Sequence, residues 1–154
     1  MPDGASARSV RTLLGMGEMR RVIDHIGVGV RDFEASLDFY TRALAPLDFE
    51  RVAFLDEDNR AAAFGVRGRD DFWIQEGRPA GRMHVAFNAE SHEAVDAFHA
   101  AAIEAGARDN GAPGLRPQYS DTYYAAYVLD PNGNNIEAVF HGDAPSRKGQ
   151  PLRR

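Results

Sequence analysis

Two histidines and one glutamate are the residues of this chain best suited to metal chemistry. His25 and His84 each lie in a short apolar run, and Glu137 lies in a third run toward the C-terminal end. Two imidazoles and one carboxylate form the 2-His-1-carboxylate ligand set, which binds Fe(II) and similar divalent ions and leaves coordination positions open. The chain contains no cysteine, which excludes thiolate ligands, disulfides and a cysteine nucleophile.

The alternation of side chains in each run predicts the direction in which these three residues point. Successive residues of a β-strand face opposite sides of the sheet. In the runs Ile23–Val30 and Met83–Asn88 the histidine falls opposite the large apolar side chains, with small residues beside it. In the run Ile136–Phe140, Glu137 also falls opposite the apolar residues. The pattern predicts that all three project from one concave surface, although a strand histidine is also often a hydrogen-bonded core or surface residue.

An internal repeat places the two histidines at equivalent positions. A shift of 59 residues superposes His25 on His84 and aligns five identical residues within about 20 positions. Each copy has a strand, then an oxygen-bearing residue suited to cap a helix (Asp32 or Ser91), and then a helical pattern, the second ending near Gly106. The remaining strands are predicted at Asp48–Leu55, Arg60–Gly65, Asp71–Gln75, Ala107–Asp109, Tyr123–Leu129 and Ile136–Phe140.

These elements predict an α+β fold of two tandem βαβββ modules. Neither module covers its sheet alone, so we expect the strands to combine into a curved, eight-stranded, cup-shaped sheet with the helices on the outer side. The predicted domain spans residues 21–141, with module one at 21–80 and module two at 81–141. Residues 1–20 are predicted to be a flexible N-terminal extension, whose place in the native protein stays open, and residues 142–154 a C-terminal tail.

Composition narrows the class of partner. The apolar fraction of 44% and charged fraction of 27% are those of a globular protein. A net charge of −5 argues against nucleic acid, whose binding requires clustered Lys and Arg. No stretch approaches the roughly 18 consecutive apolar residues of a membrane-spanning helix. We therefore expect no nucleic-acid or membrane partner and, given the lack of cysteine, a cytoplasmic location.

Several motifs resemble those of the vicinal-oxygen-chelate superfamily. They are the runs Ile23–Val30 and Met83–Phe87, the Phe39-Tyr40 pair in the first helical pattern, and Asp130-Pro131-Asn132-Gly133-Asn134-Asn135-Ile136-Glu137. The resemblance covers roughly residues 21–141. The superfamily includes glyoxalase I, extradiol dioxygenases, fosfomycin-resistance transferases and bleomycin-binding proteins.

The resemblance implies a metal site and a homodimer. Relatives place ligands at the positions of His25, His84 and Glu137, which implies one divalent ion of Fe, Mn, Zn, Ni or Co. The implied function is a metal-dependent enzyme of glyoxalase or dioxygenase type, whose oxygen-rich substrate chelates the ion through two adjacent oxygens. The alternative is a small-molecule or antibiotic-binding resistance protein without catalysis, since one fold hosts both kinds of function.

One position departs from glyoxalase I. Aligning the two modules matches Trp73 to Glu137, and relatives such as glyoxalase I carry a fourth metal ligand at the former position. Tryptophan cannot ligate a metal, so lactoylglutathione lyase activity is not expected. Gln75 shares the predicted face of Trp73, and Glu76 follows Gln75. If the strand register assumed in this alignment is wrong, either Gln75 or Glu76 becomes a candidate ligand.

Further site residues are predicted around the metal. Tyr123 and Tyr124 follow a polar, aromatic loop and are predicted to be catalytic, as an acid or a hydrogen-bond donor; the alternative is that they only pack within the strand. Trp73, Gln75 and Arg116 are predicted to bind substrate, Arg116 through an anionic group.

Overall fold

A computed structural model describes residues 24–55, 60–79 and 81–142 of the chain. The chain folds into two consecutive modules with the same order of elements. The first contains β1 (Ile26–Val30), α1 (Phe33–Leu44), β2 (Glu50–Leu55), β3 (Ala61–Gly65) and β4 (Phe72–Glu76). The second contains β5 (His84–Asn88), α2 (His92–Glu104), β6 (Arg108–Leu115), β7 (Tyr124–Leu129) and β8 (Asn135–Phe140). A 3₁₀ turn (Ala45–Leu47) follows α1. The predicted two-module α+β fold is confirmed.

Two predicted segments cannot be compared with the structure. The extension at residues 1–20 and the tail beyond Gly142 lie outside the described residues. Within the described ranges, neither helix is long and apolar enough to cross a membrane.

Each module forms its own four-stranded mixed sheet. The strand orders are β1-β4-β3-β2 and β5-β8-β7-β6. In each sheet the first strand is parallel to the last strand of the module, and the remaining pairs are antiparallel. The strands β1 and β5 therefore lie at sheet edges, each with one side unpaired within the described chain.

The helices begin and end where the sequence indicates. Asp32 Oδ1 accepts a hydrogen bond from the backbone N–H of Ala35 at 3.0 Å, and Ser91 Oγ accepts one from Ala94 at 3.2 Å. These side chains satisfy N–H groups that have no partner within the helix. Gly106, two residues after the end of α2, has a φ of 97°, the left-handed conformation that commonly stops a helix.

Both sheets turn their apolar faces toward one shared core. The helices α1 and α2 each pack on their own sheet and also against each other. The rings of Phe72 and Phe87 meet across the modules with centroids 5.3 Å apart, and Phe49 and Phe87 with centroids 5.1 Å apart. The described strands therefore form two four-stranded sheets, one in each module, and both helices pack on the faces that meet in this shared core. The physical reason is that the apolar faces of the two modules cover each other.

A buried polar contact joins α1 to the turn that precedes β8. The Tyr40 hydroxyl donates to Asp130 Oδ2 at 2.6 Å, and both residues are buried. Asp130 Oδ1 also accepts from the backbone N–H groups of Asn132 and Asn134. The Asn134 side chain in turn accepts from the backbone N–H of Met83, directly before β5. This network fixes the starts of β5 and β8, the two strands that carry His84 and Glu137.

Candidate metal centre

His84 and Glu137 meet on the face of the second sheet that is turned away from the core. The β5–β8 pairing places His84 opposite Asn135 and Ala86 opposite Glu137. Nε2 of His84 lies 3.1 Å from Oε2 of Glu137. The His84 side chain is 53% exposed, whereas that of Glu137 is 2% exposed. A solvent-exposed imidazole thus lies beside a buried carboxylate.

The spacing of these two atoms fits a shared divalent ion. Donor atoms about 2.1–2.2 Å from an octahedral ion and adjacent in its coordination sphere lie roughly 3 Å apart. The second carboxylate oxygen, Oε1 of Glu137, accepts a hydrogen bond from the Tyr123 hydroxyl at 2.6 Å. Since that bond orients the carboxyl group, Oε2 remains directed at His84. The residues present therefore fit the implied ion at two of its positions.

Asn135 supports the other side of the His84 ring. His84 Nδ1 lies 3.2 Å from the backbone carbonyl oxygen of Asn135 and 3.0 Å from its Nδ2. The side-chain oxygen of Asn135 is held by Asn110 Nδ2 at 3.0 Å. Nδ1 can either donate to the carbonyl or accept from Nδ2, but not both. In the tautomer whose Nδ1–H donates to the carbonyl, Nε2 keeps a lone pair for a metal, as is usual for ligating histidines. Sequence reasoning missed this role, although Asn135 lies two residues before Glu137 and so on the same face.

Tyr123 and Tyr127 line the same face. Tyr127 lies opposite Glu137 in the β7–β8 pairing, and its ring lies nearly parallel to that of His84, with centroids 6.5 Å apart. Burial, and then the hydrogen bond and charge of Glu137, raise the pKa of Tyr123 far above its usual value. Burial and the charge of Glu137 raise the pKa of Tyr127 to about 12. Both phenols are therefore protonated at neutral pH, Tyr123 as the donor to Glu137. The sequence pattern assigned no role in the site to Tyr127.

Tyr124 occupies the opposite face, which corrects its predicted catalytic role. Its hydroxyl donates to Asp96 Oδ1 of α2 at 2.7 Å, and its ring stacks on that of His92 with centroids 4.0 Å apart. Because neighbours in a strand alternate between faces, Tyr123 and Tyr124 cannot both point at Glu137. Tyr124 secures helix α2 to the second sheet.

His25 lies apart from this pair, on the outward face of the first sheet. It directly precedes β1, its side chain is 55% exposed, and its Nδ1 lies 3.0 Å from Asp24 Oδ1. With Trp73 and Gln75 it lines a cavity of about 790 Å³. Among the described residues, no three His, Asp or Glu side chains are arranged to hold one ion. One chain therefore brings together two of the three predicted ligands.

The strand registers settle which residue is the counterpart of Glu137. Trp73 lies opposite Gly27 in the first sheet, as Glu137 lies opposite Ala86 in the second. Gly27 and Ala86 are related by the same shift of 59 residues that relates the two histidines. Trp73 therefore has the same register position in the first sheet as Glu137 has in the second. Gln75 follows on the same face and is exposed.

Two other candidates have defined partners. Glu76 Oε2 pairs with Arg60 Nε at 3.5 Å, so it is engaged away from the Trp73 position. The Arg116 guanidinium lies over the Tyr127 ring, 5.5 Å from its centroid, and donates to the backbone carbonyl of Ala112 at 2.6 Å. Arg116 thus stands beside the pair formed by His84 and Glu137, with Tyr127 between.

Two consecutive βαβββ modules, each with its own four-stranded mixed sheet, define a two-module α+β protein. The sequence matches the family model of the Glyoxalase/Bleomycin resistance protein/Dioxygenase superfamily over residues 22–138, which is most of the chain. The chain therefore belongs to this superfamily.

Solved structures agree with this assignment. The chain is 32% identical to a glyoxalase/bleomycin resistance protein from Albidiferax ferrireducens, with a TM-score of 0.64 over 78% of this chain and 98% of that one. It is similar to a family enzyme from Burkholderia phytofirmans (20% identity, TM-score 0.59, 77% and 97% covered). It also resembles a glyoxalase I mutant from Zea mays (20% identity, TM-score 0.61), covering 77% of this chain and 46% of that one. The last two similarities establish the fold alone. A search of curated protein sequences finds no significant match.

Proposed function

We propose that the protein is a metal-dependent enzyme of glyoxalase or dioxygenase type, acting on a small oxygen-rich molecule. In this proposal one divalent ion is held by His84 and Glu137 of one chain and by His25 of a second copy. The observation that carries it is the 3.1 Å separation of His84 Nε2 and Glu137 Oε2, with the carboxylate buried and the imidazole open.

A second copy is required because the ligands lie on different sheets. The faces that carry His25 and His84 are turned away from the shared core, so one chain cannot join them without opening that core. The strands β1 and β5 are both sheet edges, and an unpaired edge is suited to pairing with another strand. A twofold pair that sets β1 of one copy beside β5 of the other creates two identical sites. The homodimer expected from the resemblance provides this arrangement.

Each group around the pair then has a definable role. When bound, the metal supplies Lewis-acid stabilisation of negative charge on two adjacent substrate oxygens. Tyr123 holds the carboxylate of Glu137, and Tyr127 provides a protonated phenol on the same face. Arg116 supplies positive charge beside Tyr127. In the proposed dimer, Trp73 and Gln75 of the second copy form the facing wall of the substrate cavity.

The reaction is not proposed to be that of lactoylglutathione lyase. Trp73 occupies the counterpart of the Glu137 position, where that activity implies a fourth ligand. A binding protein without catalysis is the other class of function that the cavity allows. The pairing of Glu137 with the exposed imidazole of His84 favours the enzyme, because it brings two metal-ligand types together on one face. A sequestering cavity has no need for such a pair.

Metal analysis tests this proposal. We expect roughly one ion per chain in the purified protein, and loss of the ion in His25→Ala and in Glu137→Gln. His99→Ala is the matched control, because His99 lies on α2 and pairs with Asp109, neither of which is a proposed ligand. On the Co²⁺-loaded protein, oxalate, which presents two adjacent oxygens, should change the visible absorption spectrum. Equal metal content in all variants, or no response to oxalate, contradicts the proposal.

A further inference from the structure

A second polar cavity lies where the two modules meet, and none of the candidate metal ligands lines it. Its volume is about 390 Å³. Three arginines from different segments line it: Arg31 directly after β1, Arg82 before β5, and Arg108 at the start of β6. The rest of the lining includes the turn at residues 131–133.

The charge of this cavity is unbalanced. No described residue that lines it carries a carboxylate. Elsewhere Arg42, Arg60 and Arg69 each pair with an Asp or Glu, whereas the three cavity arginines make no ion pair within the described parts of the chain. The chain has 23 acidic and 18 basic residues, so carboxylates are in excess. Gathering three cations without a counterion is unfavourable, and the same field attracts an anion.

We propose that this junction cavity binds a small polyanion, either a phosphate ester or a di- or tricarboxylate. Guanidinium groups present planar pairs of N–H donors that match phosphate and carboxylate oxygens. Asn132 also lines the cavity, but its side chain is already engaged within the protein. Its Oδ1 accepts from the backbone N–H of Arg31, and its Nδ2 donates to Ser36 Oγ. These two bonds hold the turn, so the three arginines supply the free donors.

Binding would also join the modules. Arg31 belongs to the first module, and Arg82 and Arg108 belong to the second. An anion contacted from both sides adds to the existing bond between Arg31 N and Asn132 Oδ1, which is 3.0 Å long. Because the anion binds the folded state alone, it should raise the melting temperature as its concentration rises.

Calorimetric titration of metal-free protein with pyrophosphate and with citrate tests the site, at constant ionic strength so that general screening is equal. Each of Arg31→Gln, Arg82→Gln and Arg108→Gln should weaken binding by about tenfold or more, the usual effect of losing a charge-assisted hydrogen bond. Arg67→Gln is the matched control: it removes the same charge from an exposed turn that does not line the cavity.

The tighter of the two probes identifies the class of anion. Tighter binding of pyrophosphate supports a phosphate ester, and tighter binding of citrate supports a polycarboxylate. Absence of binding by both probes at millimolar concentration overturns the proposal, as does an equal loss of affinity in Arg67→Gln. Since the protein is metal-free throughout, failure of the proposed metal site leaves this result unaffected.

Discussion

The imidazole Nε2 of His84 and the carboxylate Oε2 of Glu137 lie 3.1 Å apart on the outward face of the second sheet. Each side chain also has a polar partner at its second carboxylate oxygen or ring nitrogen. Tyr123 donates to the other carboxylate oxygen, and Asn135 contacts the other ring nitrogen. Partners of this kind orient metal ligands and increase metal affinity. The pair thus has the geometry that the proposed metal site requires.

Replacing His84 with Ala should remove the metal and leave the fold intact. The side chain is 53% exposed, and exposed substitutions usually change stability by less than about 0.5 kcal/mol. Metal content by mass spectrometry and a thermal melt measure the two effects. Val85→Ala is the matched control, because Val85 is buried in the core: it should keep the metal and lose roughly 2 kcal/mol. An unfolded His84→Ala protein would instead make His84 a structural residue.

Replacing Trp73 with Glu should create a fourth ligand. The registers place Trp73 at the counterpart of Glu137, so an inward carboxylate there adds a charged donor to the proposed site. Even outer partners of ligands alter metal affinity by roughly tenfold or more, so a ligand should increase it at least as much. Competition with a chromogenic chelator measures this change. Trp73→Phe keeps the aromatic wall without a donor and should leave the affinity unchanged.

The wild-type protein should lack lactoylglutathione lyase activity with any metal. The reason is again Trp73, which cannot act as a ligand or carry a proton. An assay with the methylglyoxal–glutathione adduct across Ni, Co, Zn, Mn and Fe decides this point. Robust turnover with one of them would mean that Gln75 or another group supplies the missing function.

The repeat and the strand alternation were sufficient to predict the sheet faces from which the candidate ligands project. They placed His25, His84 and Glu137 on the faces opposite the apolar residues. The alternating burial of β5 agrees with this for His84, and the 3.1 Å contact puts Glu137 on the same face as His84. They also paired Trp73 with Glu137. The direction of a strand side chain could be predicted because the period of a strand is fixed by backbone geometry.

The arrangement of the modules could not be predicted in the same way. An apolar strand face must be covered, but the pattern does not reveal whether the helices or a second sheet cover it. In one chain α1 and α2 pack together between the sheets, which separates His25 from His84. Tyr124 was misassigned for a related reason. The pattern of aromatic residues did not show which of Tyr123 and Tyr124 shares the face of Glu137.

Removing the Tyr40 hydroxyl should destabilise the protein more than removing that of Tyr124. Tyr40 donates to buried Asp130 at 2.6 Å, and Tyr40→Phe leaves that carboxylate with one fewer donor. We expect a loss of about 1.5–3 kcal/mol in denaturant unfolding, as for hydrogen bonds to charged groups. Tyr124 makes the same kind of bond to Asp96 at an exposed position, so Tyr124→Phe is the control. Equal effects of the two variants would contradict a special role for the buried bond.

The bond between Tyr124 and Asp96 should make stability depend on pH only in the alkaline range. The hydrogen bond to Asp96 is the main cause that raises the pKa of Tyr124 above its ordinary value of 10.0. Because the pKa of Tyr124 is higher in the folded than in the unfolded state, its hydrogen bond contributes stability that is fully present below pH 10.0. This stability is lost as the pH rises through the higher folded-state pKa. The difference in unfolding free energy between wild type and Tyr124→Phe should therefore be constant from neutral pH to about 9 and shrink above 10. A difference that is largest at high pH would have the wrong sign. Metal content should be the same in both proteins.

The measurement that most directly tests the shared metal site is complementation between two inactive ligand variants. His25→Ala and His84→Ala chains carrying different affinity tags are co-expressed, and the mixed dimer is isolated through both tags. Neither homodimer should retain metal. In the mixed dimer one site combines the intact His25 of one chain with the intact His84 and Glu137 of the other, so it should bind about half as much metal as the wild type. A mixed dimer as empty as the two homodimers, or a His25→Ala homodimer that keeps its metal, would contradict the account.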